Sequence, residues 1–247
     1  MKKVKTVEVR DVQIGQGKPK IIVSLISATR QKLQQEIQHL LQKQPDIWEW
    51  RLDFVDVHDQ SDIFETLSLI RELTFPSPLI VTYRTVQEGG HGRLRSDAYK
   101  ELLLQIASTQ LCDFIDVELF SEDAKDLIHA IHQAGCKVIV SNHDFEKTPP
   151  KEELIWRLRE MQFINGDIGK LAVMPKRAHD VLSLLDAADQ MKTLYADRPF
   201  LVMAMGDLGA ITRLGGHHFG SCATFAAGSS PSAPGQLPVD LMKQLLL

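Results

Sequence analysis

DIGKLAVMP (residues 167–175) places Ile168, Leu171, Ala172, Val173 and Met174 in one short apolar run. That pattern reads as a strand buried on both faces, the kind found in parallel sheets covered by helices. Seven more runs of similar character surround it: IIVSLI (21–26), IWEWRLD (47–53), LIVTYR (79–84), FIDVEL (114–119), KVIVSN (137–142), FLVMAM (200–205) and FGSCATF (219–225). Between most of them the apolar period changes from two to that of a helix, as in Leu33, Ile37, Leu40 and Leu41 behind a capping Thr29. The same change recurs in Tyr99, Leu102, Leu103 and Ile106 after Ser96, in Leu154 to Met161, and in Val181 to Leu185. Eight β–α units in 247 residues predict an α/β fold, a TIM (β/α)8 barrel spanning 1–247 as one catalytic domain. TVEVRDVQIGQGKPK (6–20) alternates and then turns at Gly15 and Gly17, which predicts an N-terminal β-hairpin covering the barrel floor. A doubly wound open sheet is the rival, but no dinucleotide-type glycine fingerprint follows the first strand.

Charge and cysteine content narrow the chemistry. With 28 basic and 32 acidic residues scattered along the chain, the net charge of -4 offers no footprint for nucleic acid or an anionic membrane. No run approaches membrane-spanning length, and MKKVKTVEVRDVQIG lacks the apolar core of a signal peptide. Cys112, Cys136 and Cys222 are odd in number and lie in apolar segments, which predicts reduced, buried thiols and a cytoplasmic setting. A small-molecule substrate is therefore expected.

In a barrel of this kind reactive groups sit at the C-terminal strand ends. Lys170 is the sharpest signal, because burial disfavours an ammonium and leaves a free amine able to form a Schiff base with a carbonyl. The plainer reading is an ion pair with a core carboxylate such as Glu118, Asp116 being near as well, or a lysine snorkelling from the strand's edge. His143, ending the fifth run, is the candidate proton shuttle, and Glu88 is placed to orient it. Separately, they read as a hydrogen-bonded strand-end histidine and a solvated loop acid. Arg213, between Gly209 and Gly215 in a segment expected to be flexible, suits capture of a carboxylate. Glu49, Arg51 and Arg84 offer hydrogen bonds to hydroxyls, or form a salt-bridge ring at the mouth. Met203 and Met205 share one strand face and read more readily as core filling than as substrate contacts. His217 and His218 are adjacent and poorly placed to chelate, so no metal is predicted.

Taken together these stretches resemble the type I 3-dehydroquinate dehydratases. The resemblance rests on PKIIVSL (19–25), EWR (49–51), TYR with EGG (88–90), DVELF (116–120), SNHDF (141–145), DIGK (167–170), MAM (203–205), ITR (211–213), FGS with ATF, and SAPGQ (232–236), in order over nearly the whole chain. It implies a lyase of the shikimate pathway that dehydrates 3-dehydroquinate through a Schiff base on Lys170, with His143 as acid/base and Glu88 orienting it. It further implies Arg213 as carboxylate clamp, Glu49, Arg51 and Arg84 as hydroxyl contacts, and Met203, Met205, Phe225 and Ala233 as apolar walls. Ser24 matches a polar residue ending the first strand, Ser232 and Gln236 lie on a closing loop, and a homodimer is implied. Gly169 stands where a proline often precedes the lysine and is expected to loosen its strand; Gly206 and Asp207 replace a small residue and a lysine. A class I Schiff-base aldolase and a non-catalytic polyhydroxy-acid binding barrel are the alternatives.

Overall fold

The computed structural model describes residues 4–57 and 60–246. A hairpin of β1 (Val7–Val9) and β2 (Val12–Ile14) precedes eight parallel strands: β3 (Lys20–Leu25), β4 (Ile47–Arg51), β5 (Leu79–Thr82), β6 (Phe114–Glu118), β7 (Lys137–Asp144), β8 (Ile168–Val173), β9 (Phe200–Ala204) and β10 (Ala223–Ala226). They pair in the order β10-β3-β4-β5-β6-β7-β8-β9. The seam between β9 and β10 is drawn together by a parallel bridge of Phe200 to Ser221 and by the Cys222 amide donating to the Phe200 carbonyl at 2.8 Å. The predicted TIM barrel with its hairpin is therefore borne out.

Helices α1 (Arg30–Leu41), α2 (Gln60–Thr74), α3 (Ser96–Ser108), α4 (Ala124–Gln133), α5 (Lys151–Phe163), α6 (Ala178–Gln190), α7 (Ala210–Gly215) and α8 (Val239–Leu245) complete the alternation. Thr29 caps α1 as expected, its Oγ1 accepting from the Lys32 amide. None of these helices is long and apolar enough to cross a membrane.

Strand period sorts the apolar residues into two bodies. Outward residues such as Val23, Trp48, Val81, Val117, Val140 and Leu171 pack with the helices. Inward residues at the strand starts, Ile22, Ile47, Ile80, Phe114, Ile139, Ile168 and Leu201, pack with Val7, Val9 and Ile14 of the hairpin. The hairpin is thus the floor of the barrel. Arg10 pins it there by donating to Asp113 at 2.8 Å, a carboxylate that also accepts from Arg71 and from the Leu79 amide.

Two details differ from expectation. The eighth strand starts at Ala223 rather than within FGS, because residues 216–219 form a 3-10 turn closed by Gly220 at φ 111°. Gly169 does not loosen β8: it is buried, pairs with Val140 and Phe200, and its missing side chain leaves room for Met161, whose sulfur would stand 3.3 Å from an added Cβ. All three cysteines are buried and free, with Cys112 and Cys136 sulfurs 3.9 Å apart.

Candidate active site

Two residues beyond the apolar floor, each strand turns its next side chain inward, and there the barrel becomes polar. Ser24, Glu49, Thr82, Asp116, Ser141 and Lys170 fill this layer, joined by Met203 and Phe225. Lys170 is 5% exposed. Its Nζ donates to Asp116 Oδ2 at 3.2 Å and Glu49 Oε1 at 3.5 Å and lies 4.4 Å from the centre of the Phe225 ring. The carboxylates beside it are therefore Asp116 and Glu49, not Glu118. Glu118 is turned away to accept from Arg84 and from the amide and hydroxyl of Thr85. Glu49 is itself held by Thr82 Oγ1 at 2.8 Å and by Ser24 Oγ.

Arg84 organises the rim. It donates to Asp116 at 2.7 Å, to Ser141 at 2.9 Å, and to Glu88 and Glu118 at 3.1 Å each. Burial alone would lower this guanidinium, yet Asp116, Glu88 and Glu118 raise it well above its ordinary value. The same charges work in reverse on Asp116: burial would raise it, but Arg84 and Lys170 hold it below the usual range. The salt-bridge ring considered for Glu49, Arg51 and Arg84 is thus real around Arg84, while Arg51 makes a two-point pair with Asp53 at 2.8 Å per bond.

His143 ends β7 with Nδ1 2.8 Å from Glu88 Oε2, and its backbone amide donates to the same oxygen at 3.1 Å. Asn142 Nδ2 donates to Glu88 Oε1 at 2.9 Å, fixing the carboxyl on its other side. Burial, then the charges of Arg84, Lys170 and Arg51, hold the imidazole well below its ordinary 6.5. Burial pushes the Glu88 carboxyl up to about 8 against the pull of Arg84. Glu88 Oε2 also accepts from Arg84 at 3.1 Å, and the carboxyl and imidazole titrate as a pair.

Arg213 is not on a flexible segment as expected; it sits in α7, 2% exposed, with Thr212 Oγ1 tying the turn to the Gly209 carbonyl and the Ala204 amide. Its guanidinium donates to the carbonyls of Pro234 at 3.0 Å and Phe225 at 3.4 Å, contacts Met203 sulfur at 3.7 Å, and leaves Nε without a partner. No carboxylate lies within 4.0 Å of it among the described residues. Burial without a counter-ion lowers its pKa to about 10, the mark of a site that gains from an incoming anion. The loop GSSPSAPGQ (228–236) is docked too. Ser232 Oγ donates to Ser24 Oγ at 3.0 Å, Gln236 and Ser232 bond each other, and the Gly206 amide donates to the Pro234 carbonyl at 3.2 Å.

One cleft collects Glu49, Arg51, Arg84, Glu88, His143, Lys170, Met203, Met205, Arg213, Phe225, Ser232, Ala233 and Gln236. Every predicted site residue except Ser24 lines it, and Ser24 stands behind Glu49. Sequence reasoning passed over Thr82, Gly89, Phe145 and Ala172 in the lining, and Ser141 and Asn142 behind it. The inward period of two marks Thr82, Asp116, Ser141 and Ala172; nothing local marks Gly89 or Phe145.

Fold and site define a TIM-barrel enzyme acting on a small molecule. Residues 21–247 match the type I 3-dehydroquinase family. A 3-dehydroquinate dehydratase from Clostridium novyi is 43% identical over 246 residues, covering 98% of this chain and 97% of its own. A solved type I 3-dehydroquinate dehydratase from Clostridium difficile, carrying covalently modified comenic acid, superposes with TM-score 0.94 at 41% identity, over 98% of this chain and 96% of that one. A 3-dehydroquinate dehydratase from Geobacillus kaustophilus gives TM-score 0.95 at 36% identity, over 98% and 95%. The chain belongs to the type I 3-dehydroquinase family.

Proposed function

We propose that this enzyme converts 3-dehydroquinate to 3-dehydroshikimate through a Schiff base on Lys170. The observation that carries the reading is a buried amine on the same cleft as a histidine–glutamate pair and an arginine without a counter-ion. Lys170 Nζ, oriented by Asp116 and Glu49 at hydrogen-bond distance, attacks the C3 ketone as the free amine. The cationic imine draws electrons from C2 and acidifies it. His143 Nε2 removes the C2 proton, with Nδ1 facing Glu88, and returns it to the departing C1 hydroxyl. Water then hydrolyses the product imine and frees Lys170. Arg213 receives the substrate carboxylate, while Ser232, Ala233 and Gln236 cover it. Met203, Met205 and Phe225 wall the ring, and Glu49, Arg51 and Arg84 face its hydroxyls. No cofactor enters this scheme, and a homodimer and a cytoplasmic setting belong to the same reading. The test is absorbance of 3-dehydroshikimate after mixing enzyme with 3-dehydroquinate, beside parallel assays with phosphorylated sugars. Absorbance appears with the first substrate alone; turnover of a sugar phosphate in its place would assign an aldolase, and no turnover of either a binding barrel.

A further inference from the structure

A second cleft opens beside the substrate cavity at the same end of the barrel, between the loops that follow β5 and β6 and the end of β7. Its polar rim includes Gln87, Ser96, Ser121 and Glu122, and two side chains in its wall, Glu88 and His143, also line the substrate cavity. Among the described residues no other side chain is common to both. The wall between the clefts is thus the acid/base pair, joined by its 2.8 Å hydrogen bond.

The reaction has to move water while its front is covered. Condensing the C3 ketone with the Lys170 amine forms the C=N bond and expels the ketone oxygen as one water. Elimination expels the C1 hydroxyl as a second, carrying off the C2 proton. Hydrolysis takes one water in, restoring the ketone and the amine. The net balance is one water released, but three pass through the site. The front is roofed by the 228–236 loop through the Ser232 to Ser24 and Gly206 to Pro234 bonds. A polar cleft offers a passing water the two to four partners it needs.

We propose that this side cleft is the water port of this enzyme, with His143 and Glu88 as its gate, so that the hydrolytic water reaches the imine past the group that activates it. The proposal rests on the Schiff-base reading. The test replaces residues on opposite walls, Gln87→Trp and Ser121→Trp, and runs single turnovers of 3-dehydroquinate in water enriched in oxygen-18, with an enzyme-free control for spontaneous ketone exchange. Wild-type enzyme yields product whose ketone oxygen comes almost wholly from solvent. In the filled variants kcat falls several-fold, the borohydride-trappable adduct accumulates, and the solvent-derived fraction drops, because water expelled inside the site is used again. Wild-type kcat and full solvent oxygen in both variants, with circular dichroism unchanged, would overturn the port. Failure of the Schiff-base reading looks different: no enzyme-dependent solvent oxygen in wild-type product, and no adduct in any of the proteins.

Discussion

Lys170 and His143 face one cleft but are asked to do different work, and substitution separates them. Lys170→Ala removes imine formation outright, so no trapped adduct forms and turnover is lost. His143→Ala still forms an adduct while kcat falls about 10²- to 10⁴-fold, the usual span for one general acid/base. Adduct-free behaviour of both would contradict that division. The Glu88–His143 pair sets the pH response. Below about 8 the Glu88 carboxyl carries a proton, and its loss leaves a carboxylate that accepts from Nδ1 and frees Nε2 to accept from C2. Accordingly kcat/KM rises as pH approaches about 8, with no inflection at 6.5, and Glu88→Gln abolishes the limb; a pH–rate series on both proteins checks it. For Arg213→Met, loss of a charge-assisted bond of about 1.5–3 kcal/mol predicts a KM raised roughly 10- to 100-fold with folding preserved, read from saturation curves and thermal melts.

At the scale of elements, the closing loop depends on two glycines. Gly235 has φ +77°, and a Cβ added there would stand 2.3 Å from the Gly206 carbonyl oxygen; Gly206 has φ +69°. Gly235→Ala must displace the loop or strain the backbone by ~1–3 kcal/mol. It therefore lowers kcat/KM about tenfold or more, with little change in melting temperature, as steady-state kinetics and calorimetry will show. This scale also shows what the sequence carried legibly. The strands were readable because double-sided burial leaves unbroken apolar runs, and the period of two then aimed Glu49, Lys170 and Met203 into one interior. Carboxylate partnership was less legible: Asp116 and Glu118 share a strand face, and only the position of Arg84 and Thr85 decides that Glu118 turns from Lys170 while Asp116 turns toward it. Glycines flanking Arg213 suggested mobility, yet Gly209 has a would-be Cβ 2.0 Å from the Ala204 carbonyl oxygen, so this glycine serves close packing. Gly89 and Phe145 were silent because long-range packing alone brings them to the cleft.

Over the whole molecule, stability and chemistry occupy opposite ends of the barrel. Ile14 of the hairpin is 1% exposed in the floor cluster. Ile14→Ala is expected to cost ~2–5 kcal/mol of stability while leaving kcat/KM at 25 °C unchanged, measured by urea unfolding and steady-state kinetics. The buried acids give the fold a definite response to acid. Burial would raise Asp53, Asp116 and Asp167, but Arg51 for the first, Arg84 and Lys170 for the second, and His132 for the third hold each below the ordinary 3.8. A lowered carboxylate contributes stability that is present above its unfolded value and lost as pH falls through its folded one. The share of the urea midpoint that these three acids contribute should therefore hold steady above about pH 5 and fall as pH drops below 3.8. The chemistry proposed for the other end turns on one covalent bond, and intact mass after borohydride reduction with 3-dehydroquinate reads it directly. A single substrate-derived adduct, mapped by peptide digestion to Lys170 and accompanied by loss of activity, is the predicted result; an inactivated enzyme whose Lys170 is unmodified would contradict it.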